Sequence, residues 1–220
     1  MSTAWSEFFP SIVPDLPGAP LPLVEHHVRE AVREFCEQTL YWREILTIDL
    51  EAATHTYPLI PAGIGDPPVI PYIVHRINRV EIANLEDPLD ESNEAVLDAT
   101  DIRWRTKLGQ PFAYLQPTSA FVRIVYTPEA DLTDGLIVTA AVKPLANAPE
   151  LFNDDILEHH REDIASGVKG RLMLSPKKPY TDAAMGKMHA DKFNAACGSA
   201  ATRRARDFTK RPMRVRGYDR

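Results

Sequence analysis

The sequence predicts an α+β protein in which an N-terminal helix and C-terminal helices form a helical part, with an antiparallel β-sandwich or barrel-like part between them. Three observations carry this expectation. Apolar residues recur at helical spacing from Val24 to Leu40, the period drops to two after Trp42, and helical spacing returns after Pro149. The implied division is an extended N-terminal arm over 1–22, a helical domain from 23–44 and 147–205, an antiparallel β domain over 45–146 and a basic C-terminal arm over 206–220.

The first 20 residues hold four prolines and show little periodicity, so they are expected to run extended along another surface. Val24, Val28, Ala31, Val32, Phe35, Cys36, Thr39 and Leu40 then make one face of an amphipathic helix. Glu25, Arg29, Arg33 and Glu37 lie between them, and Pro22 suits the first turn. Beyond Trp42, Leu46, Ile48 and Leu50 alternate with polar residues. Further strand-like runs hold Tyr57 and Leu59, then Ile73, Ile77, Val80 and Ile82. PAGIGDPP, residues 61–68, reads as a turn, and EDPLDESNE, residues 86–94, as a solvated hairpin tip. A second group of β runs is expected at 101–105, 112–116, 120–127 and 136–142, with Asp134-Gly135 among the turns. Short strands without helices between them argue for antiparallel hairpins.

After Pro149, Leu157, Ile164, Val168 and Leu172 recur at helical spacing, with Asp154 and Asp155 near the helix start, where backbone amides favour negative charge. Gly167 and Gly170 either admit a neighbour at close range or break the helix. Thr181-Asp182 looks like the cap of a last helix carrying Met185, Met188, Phe193 and Ala196.

Composition is that of an ordinary globular protein, with 44% hydrophobic and 25% charged residues. Nineteen prolines against ten glycines stiffen the connections by fixing φ. The N-terminus lacks a basic start followed by an apolar run, and no stretch reaches the length of a membrane span, so secretion and membrane insertion are not expected. Cys36 and Cys197, far apart and outside any CxxC pair, read as reduced, buried thiols.

Candidate reactive sets do not converge. His26-His27 and His159-His160 are adjacent on predicted helices, where neighbours point about 100° apart and cannot face one ion. There is no HExxH, no GxSxG and no GK[ST] after a glycine loop. His160 reads as a hydrogen-bonded packing residue, and Glu158, Glu162 and Asp163 as a solvated face with Arg161 and Lys169. The expectation is a protein with no catalytic residue, no metal and no cofactor.

Charge is divided unevenly. Residues 201–220 carry eight Arg or Lys against Asp207 and Asp219, a net of +6, and subtracting this from the whole-chain −6 leaves −12 on residues 1–200. The basic arm could dock on an acidic protein surface or a neighbouring subunit, contact nucleic acid with Phe208 and Tyr218 as stacking groups, or serve as a solubilising tail.

The succession AVREFCEQTLYWRE, YPLIPAGIGDPPVI, IRWRTKLGQPFAYLQ, VRIVYTPEADLTDGLIVTAAVKP and DDILEHHREDIASGVKGRLMLSPKKPYTDAAMGKMHADKFNAAC resembles the head-to-tail adaptors of short-tailed bacteriophages, the tail tubular A-like proteins, from about residue 20 to about 205. The resemblance implies a structural virion protein of the tail or neck, assembled in the host cytoplasm. It would form a ring, typically of twelve copies, between portal protein and tail nozzle or tube, with tail fibres as candidate further contacts. DNA would pass through the ring without specific binding. On that reading Arg203, Arg204, Arg206, Lys210, Arg211, Arg214, Arg216, Tyr218 and Arg220 are candidate contacts with the portal or a neighbouring subunit. The alternative is a nucleic-acid-binding protein that uses the same arm, and a small enzyme with an ungrouped site comes third.

Overall fold

The computed structural model describes residues 3–60 and 71–205. The fold is α+β, and the chain divides into two compact units, Met1–Tyr41 with Pro149–Arg220, and Trp42–Ala148. The 61–68 turn and the basic arm over 206–220 lie outside the described residues.

The first unit begins with a correction to the extended arm. Residues Trp5–Ser11 and Val13–Asp15 form 3₁₀ turns, closed by bonds such as Ile12 N to Phe9 O at 2.9 Å and Leu16 N to Val13 O at 3.1 Å. Trp5, Phe8, Ile12 and Leu16 recur three or four apart and are all buried. Pro10 and Pro14 cannot donate to a continuing α-helical ladder, so the segment takes short 3₁₀ pieces and still buries one face. Thr3 and Leu151 exchange backbone bonds of 2.7 and 2.8 Å, and Lys169 Nζ reaches Asp15 Oδ2 at 2.6 Å.

Helix α1 spans Leu21–Thr39, with Pro22 in its first turn and Val24, Val28, Ala31, Val32, Phe35, Cys36 and Thr39 buried. Leu40 does not extend the stripe. It sits at φ 50 and ends the helix, its amide donating to Cys36 O at 3.0 Å. Helix α3, Asp154–Met173, is capped by Asn153, whose Oδ1 accepts from Ile156 N at 3.3 Å. Its inner row is Ile156, His160, Ile164, Val168 and Leu172, with Ile156 in place of the expected Leu157. A kink at His160, φ −130 and ψ 16, shifts the phase of the first turns.

Gly167 and Gly170 are points of close approach. A Cβ at Gly170 would stand 2.9 Å from Ala190 N, and one at Gly167 would stand 2.8 Å from the Phe193 ring. Their partner is helix α4, Ala183–Ala205, which buries Gly186, Phe193, Cys197 and Ala200. Asp182 caps it, Oδ1 accepting from Met185 N at 3.0 Å, while Thr181 ties the preceding turn. Met185 and Met188, named with Phe193 among the apolar residues of this helix, are 40% and 50% exposed. Close helices select small residues at the seam, which displaces the buried stripe from the larger side chains.

The second unit holds two sheets, ordered β1-β7-β3 and β2-β6-β5-β4. The first comprises β1 (Arg43–Leu50), β7 (Leu132–Pro144) and β3 (Tyr72–Ile82), all antiparallel. The second comprises β2 (Thr56–Pro58), β6 (Phe121–Val125), β5 (Ala113–Thr118) and β4 (Asp90–Glu91), and β4 runs parallel to β5. Leu46, Leu50, Tyr57, Leu59, Val80 and Ile82 are buried, as their alternation implies, and Ile77 is buried across a register shift in β3.

Three local readings are corrected here. EDPLDESNE is no hairpin tip: it supplies β4 and then Asn93, whose Oδ1 accepts from Val96 N at 3.0 Å and starts helix α2, Glu94–Thr100. Residues Ile102–Thr106 turn instead of extending, because Asp101 accepts the amides of Arg103 and Trp104, each at 3.0 Å. Buried Trp104 then bonds Asp98 through Nε1 at 2.8 Å. Asp134-Gly135 lies inside β7 as an irregularity opposite Ile48 and Leu50. Asp134 has φ 52, and a Cβ on Gly135 would meet Leu132 O at 2.7 Å.

Candidate functional site

Of the sequence candidates, Arg203 and Arg204 lie at the end of α4. Arg203 is exposed and Arg204 half-buried in its last turn, where cations oppose the partial negative charge of the helix terminus. Arg206, Lys210, Arg211, Arg214, Arg216, Tyr218 and Arg220 fall outside the described residues. What the structure describes is the base from which the arm departs. It is rigid by construction: α4 is held against α3 through Gly167, Gly170 and Gly186, and α3 is held against α1 by Arg171, which pairs with Glu34.

The N-terminal segment braces the same helices. Lys169 is buried on α3, and its ammonium holds the Asp15 carboxyl below the ordinary carboxylate range, the hydrogen bond between them being the main cause. Ser11 donates to Glu162 Oε1 at 2.7 Å. Lys169 therefore serves this brace and leaves the expected solvated face, whereas Glu162 stays exposed while it accepts from Ser11. A lysine between Val168 and Gly170 offers no pattern from which its burial could be read.

The titratable groups that could hint at chemistry are engaged in packing. His160 is 3% exposed. Its Nδ1 lies 2.9 Å from Asp163 Oδ2, and its ring packs on Phe35 and Tyr41 with centroids 4.6 and 4.9 Å away. His27 is pushed down, first by burial and then by neighbouring His26. Cys36 and Cys197 are unbridged and buried, and burial drives the Cys197 thiol up to about 12, so it is not a nucleophile at neutral pH. Among the described residues, no three His, Cys, Asp or Glu side chains gather to hold a metal.

In the second unit a cleft of about 190 Å³ is walled by Leu97, Trp104, Phe112, Ala113 and Tyr126. Asp90, Glu91 and Asp101 also line it, and Asp101 is held below the ordinary range by the Arg103 amide and by Lys107, whose Nζ is 3.3 Å away. Such an acid is a fixed acceptor and a poor proton carrier. No helix among the described residues is long and apolar enough to cross a membrane.

Rigid helical support for a charged terminus and engaged titratable groups are the features of a part that joins other parts. No curated protein matches the chain. The family model described as SU10 adaptor protein matches residues 7–216, nearly the whole sequence. The chain belongs to this family of bacteriophage adaptors and is a structural component of a phage virion.

Proposed function

We propose that copies of this chain close into a ring, about twelve by family expectation, that joins the portal to the tail nozzle or tube and surrounds the channel for DNA ejection. The family match across residues 7–216 carries this reading. Charge supports it. A body of net −12 over residues 1–200 repels phosphate, whereas each Lys or Arg contact in the bore would add affinity and retard ejection. The basic arm that follows α4 is assigned to the portal, on which it would dock as a cationic segment on an acidic surface.

Truncation after Ala205 removes the arm and keeps every described helix. The expected result is loss of binding to purified portal rings, measured by native mass, with an unchanged circular dichroism spectrum. Undiminished binding by the truncated chain would overturn the assignment. A second reading rests on the arm's own composition, cationic with Phe208 and Tyr218 interspersed, which suits nucleic acid. A DNA affinity that falls steeply with salt and disappears on truncation would favour it over the portal.

A further inference from the structure

We infer that the cleft of the second unit receives the end of the basic arm of a second copy of this chain, Tyr218 of the partner subunit entering it between Arg216 of the partner subunit and Arg220 of the partner subunit. The inference deepens the ring reading, on which the presence of a neighbouring copy rests, and it leaves Arg206 to Arg214 of the same arm for the portal. The cleft holds about 190 Å³. An apolar cavity of about 150 Å³ takes a benzene ring, so one aromatic side chain fits. Buried Leu97 and Trp104 line it, and Val96 and Phe112 stand at its surface, 54% and 45% exposed. Phe112 packs against Tyr126 with centroids 5.0 Å apart and planes inclined by 62°, so a further ring would meet aromatic faces already in place.

Charge decides what kind of guest suits this cleft. Asp90 and Glu91 line it and are exposed. Asp90 has no cationic partner among the described residues, and Glu91 meets Arg76 at 4.0 Å in a pair that is more than half exposed and therefore weak. Residues 83–102 carry acids and no Lys, Arg or His. Beyond them, Lys107 is taken up by the Tyr126 hydroxyl at 2.9 Å and by Asp101, and Arg105 by Asp98 and Glu94. Phosphate is repelled by such a rim, and a purely apolar segment would leave its carboxylates unmatched. An aromatic residue set between cations is the complementary chemistry.

The arm carries that chemistry in its sequence RGYDR, residues 216–220. Side chains of an extended segment alternate, so Arg216, Tyr218 and Arg220 share one side and Asp219 takes the other. Docked in this way, the ring fills the cleft, the two guanidiniums meet the carboxylates of Asp90 and Glu91, and Asp219 of the partner subunit is turned from them. Phe208 has a similar setting, with Arg206 and Lys210 two residues to either side. It stands three residues past Ala205, however, which is at most about 10 Å of chain. Tyr218 stands thirteen residues past Ala205, and the roughly 45 Å this allows lets it cross to a neighbouring copy. An arm in a neighbour's cleft is a heterologous contact, the kind from which a ring is built.

Sedimentation equilibrium of the full chain over increasing concentration tests the contact. The expected mass rises from one chain upward. Tyr218→Ala on the arm and Val96→Lys at the cleft should each weaken association about tenfold or more with circular dichroism unchanged, while Phe208→Ala should associate like wild type. Should Val96→Lys not fold, Asp90→Arg takes its place. Each variant keeps the half that the other lacks, so an equal mixture of the two should regain a complex of two chains. Tyr218→Ala should still bind purified portal rings, which separates this contact from the portal assignment. A wild-type chain of one-chain mass throughout, association unaltered by either change, a mixture that stays at one chain, or loss with Phe208→Ala alone overturns the inference. Rings that assemble on portals with Tyr218→Ala as with wild type overturn this contact and leave the ring standing. Absence of any ring on portals, with the two-chain mixture intact, overturns the ring and leaves the contact.

Discussion

Two glycines on facing helices should respond to the same substitution with opposite signs. Gly→Ala inside a helix gains about 1 kcal/mol by restricting the unfolded chain and covering the backbone. Gly198 is exposed on α4 and a Cβ there meets nothing within 4 Å, so Gly198→Ala should keep the whole gain. Gly170 lies on α3 where the new carbon would meet Ala190 N at 2.9 Å, Ala190 Cα at 3.2 Å and Ala190 Cβ at 3.3 Å. Two of those obstacles are backbone, so relief requires the helices to separate along a seam packed by Phe193 and Cys197. Overpacking of this kind costs about 1–3 kcal/mol, with the upper half expected where backbone is the obstacle. Against the propensity gain, the net loss is about 1–2 kcal/mol. Urea unfolding followed by circular dichroism at fixed slope should therefore place the two midpoints on opposite sides of wild type. In thermal scans the difference should be about 6–10 °C. A Gly170→Ala protein as stable as Gly198→Ala would refute the close approach of α3 and α4.

Phe8→Ala should destabilise the protein by about 3–5 kcal/mol, because the ring is fully buried despite its place in a proline-rich segment. A loss under about 1 kcal/mol in the same urea assay would remove this segment from the core. The two thiols should resist a disulfide reagent at pH 8 until the protein is unfolded, since both are buried and Cys197 is held neutral up to about 12. Its raised value in the folded state gives the linkage a definite sign. The stability from keeping this thiol neutral is complete below its ordinary value of 9.0 and is lost as pH climbs toward about 12.

Sequence by itself determined whatever depends on local periodicity and chemistry. The stripe Val24, Val28, Val32 and Phe35 set α1, alternation through Leu46 and Leu50 or Val80 and Ile82 set the strands, and Asp182 announced the start of α4. The adaptor family was legible from the order of these blocks, and the family model matches it. The glycines of α3 correctly signalled a close neighbour, because a costly residue in a helix interior needs a spatial reason.

Tertiary structure alone decided matters that turn on which faces meet. The N-terminal prolines suggested an extended arm, yet Trp5, Phe8, Ile12 and Leu16 find a surface to bury against, and that gain is invisible to local propensity. Met185 and Met188 yield the inner face of α4 to Gly186 and Cys197, since only small groups fit once α3 lies close. The burial of Lys169 depends on Asp15, more than 150 residues away in sequence. An edge such as β1 likewise exists only after strand order is fixed, because any strand reads alike until its neighbours are known.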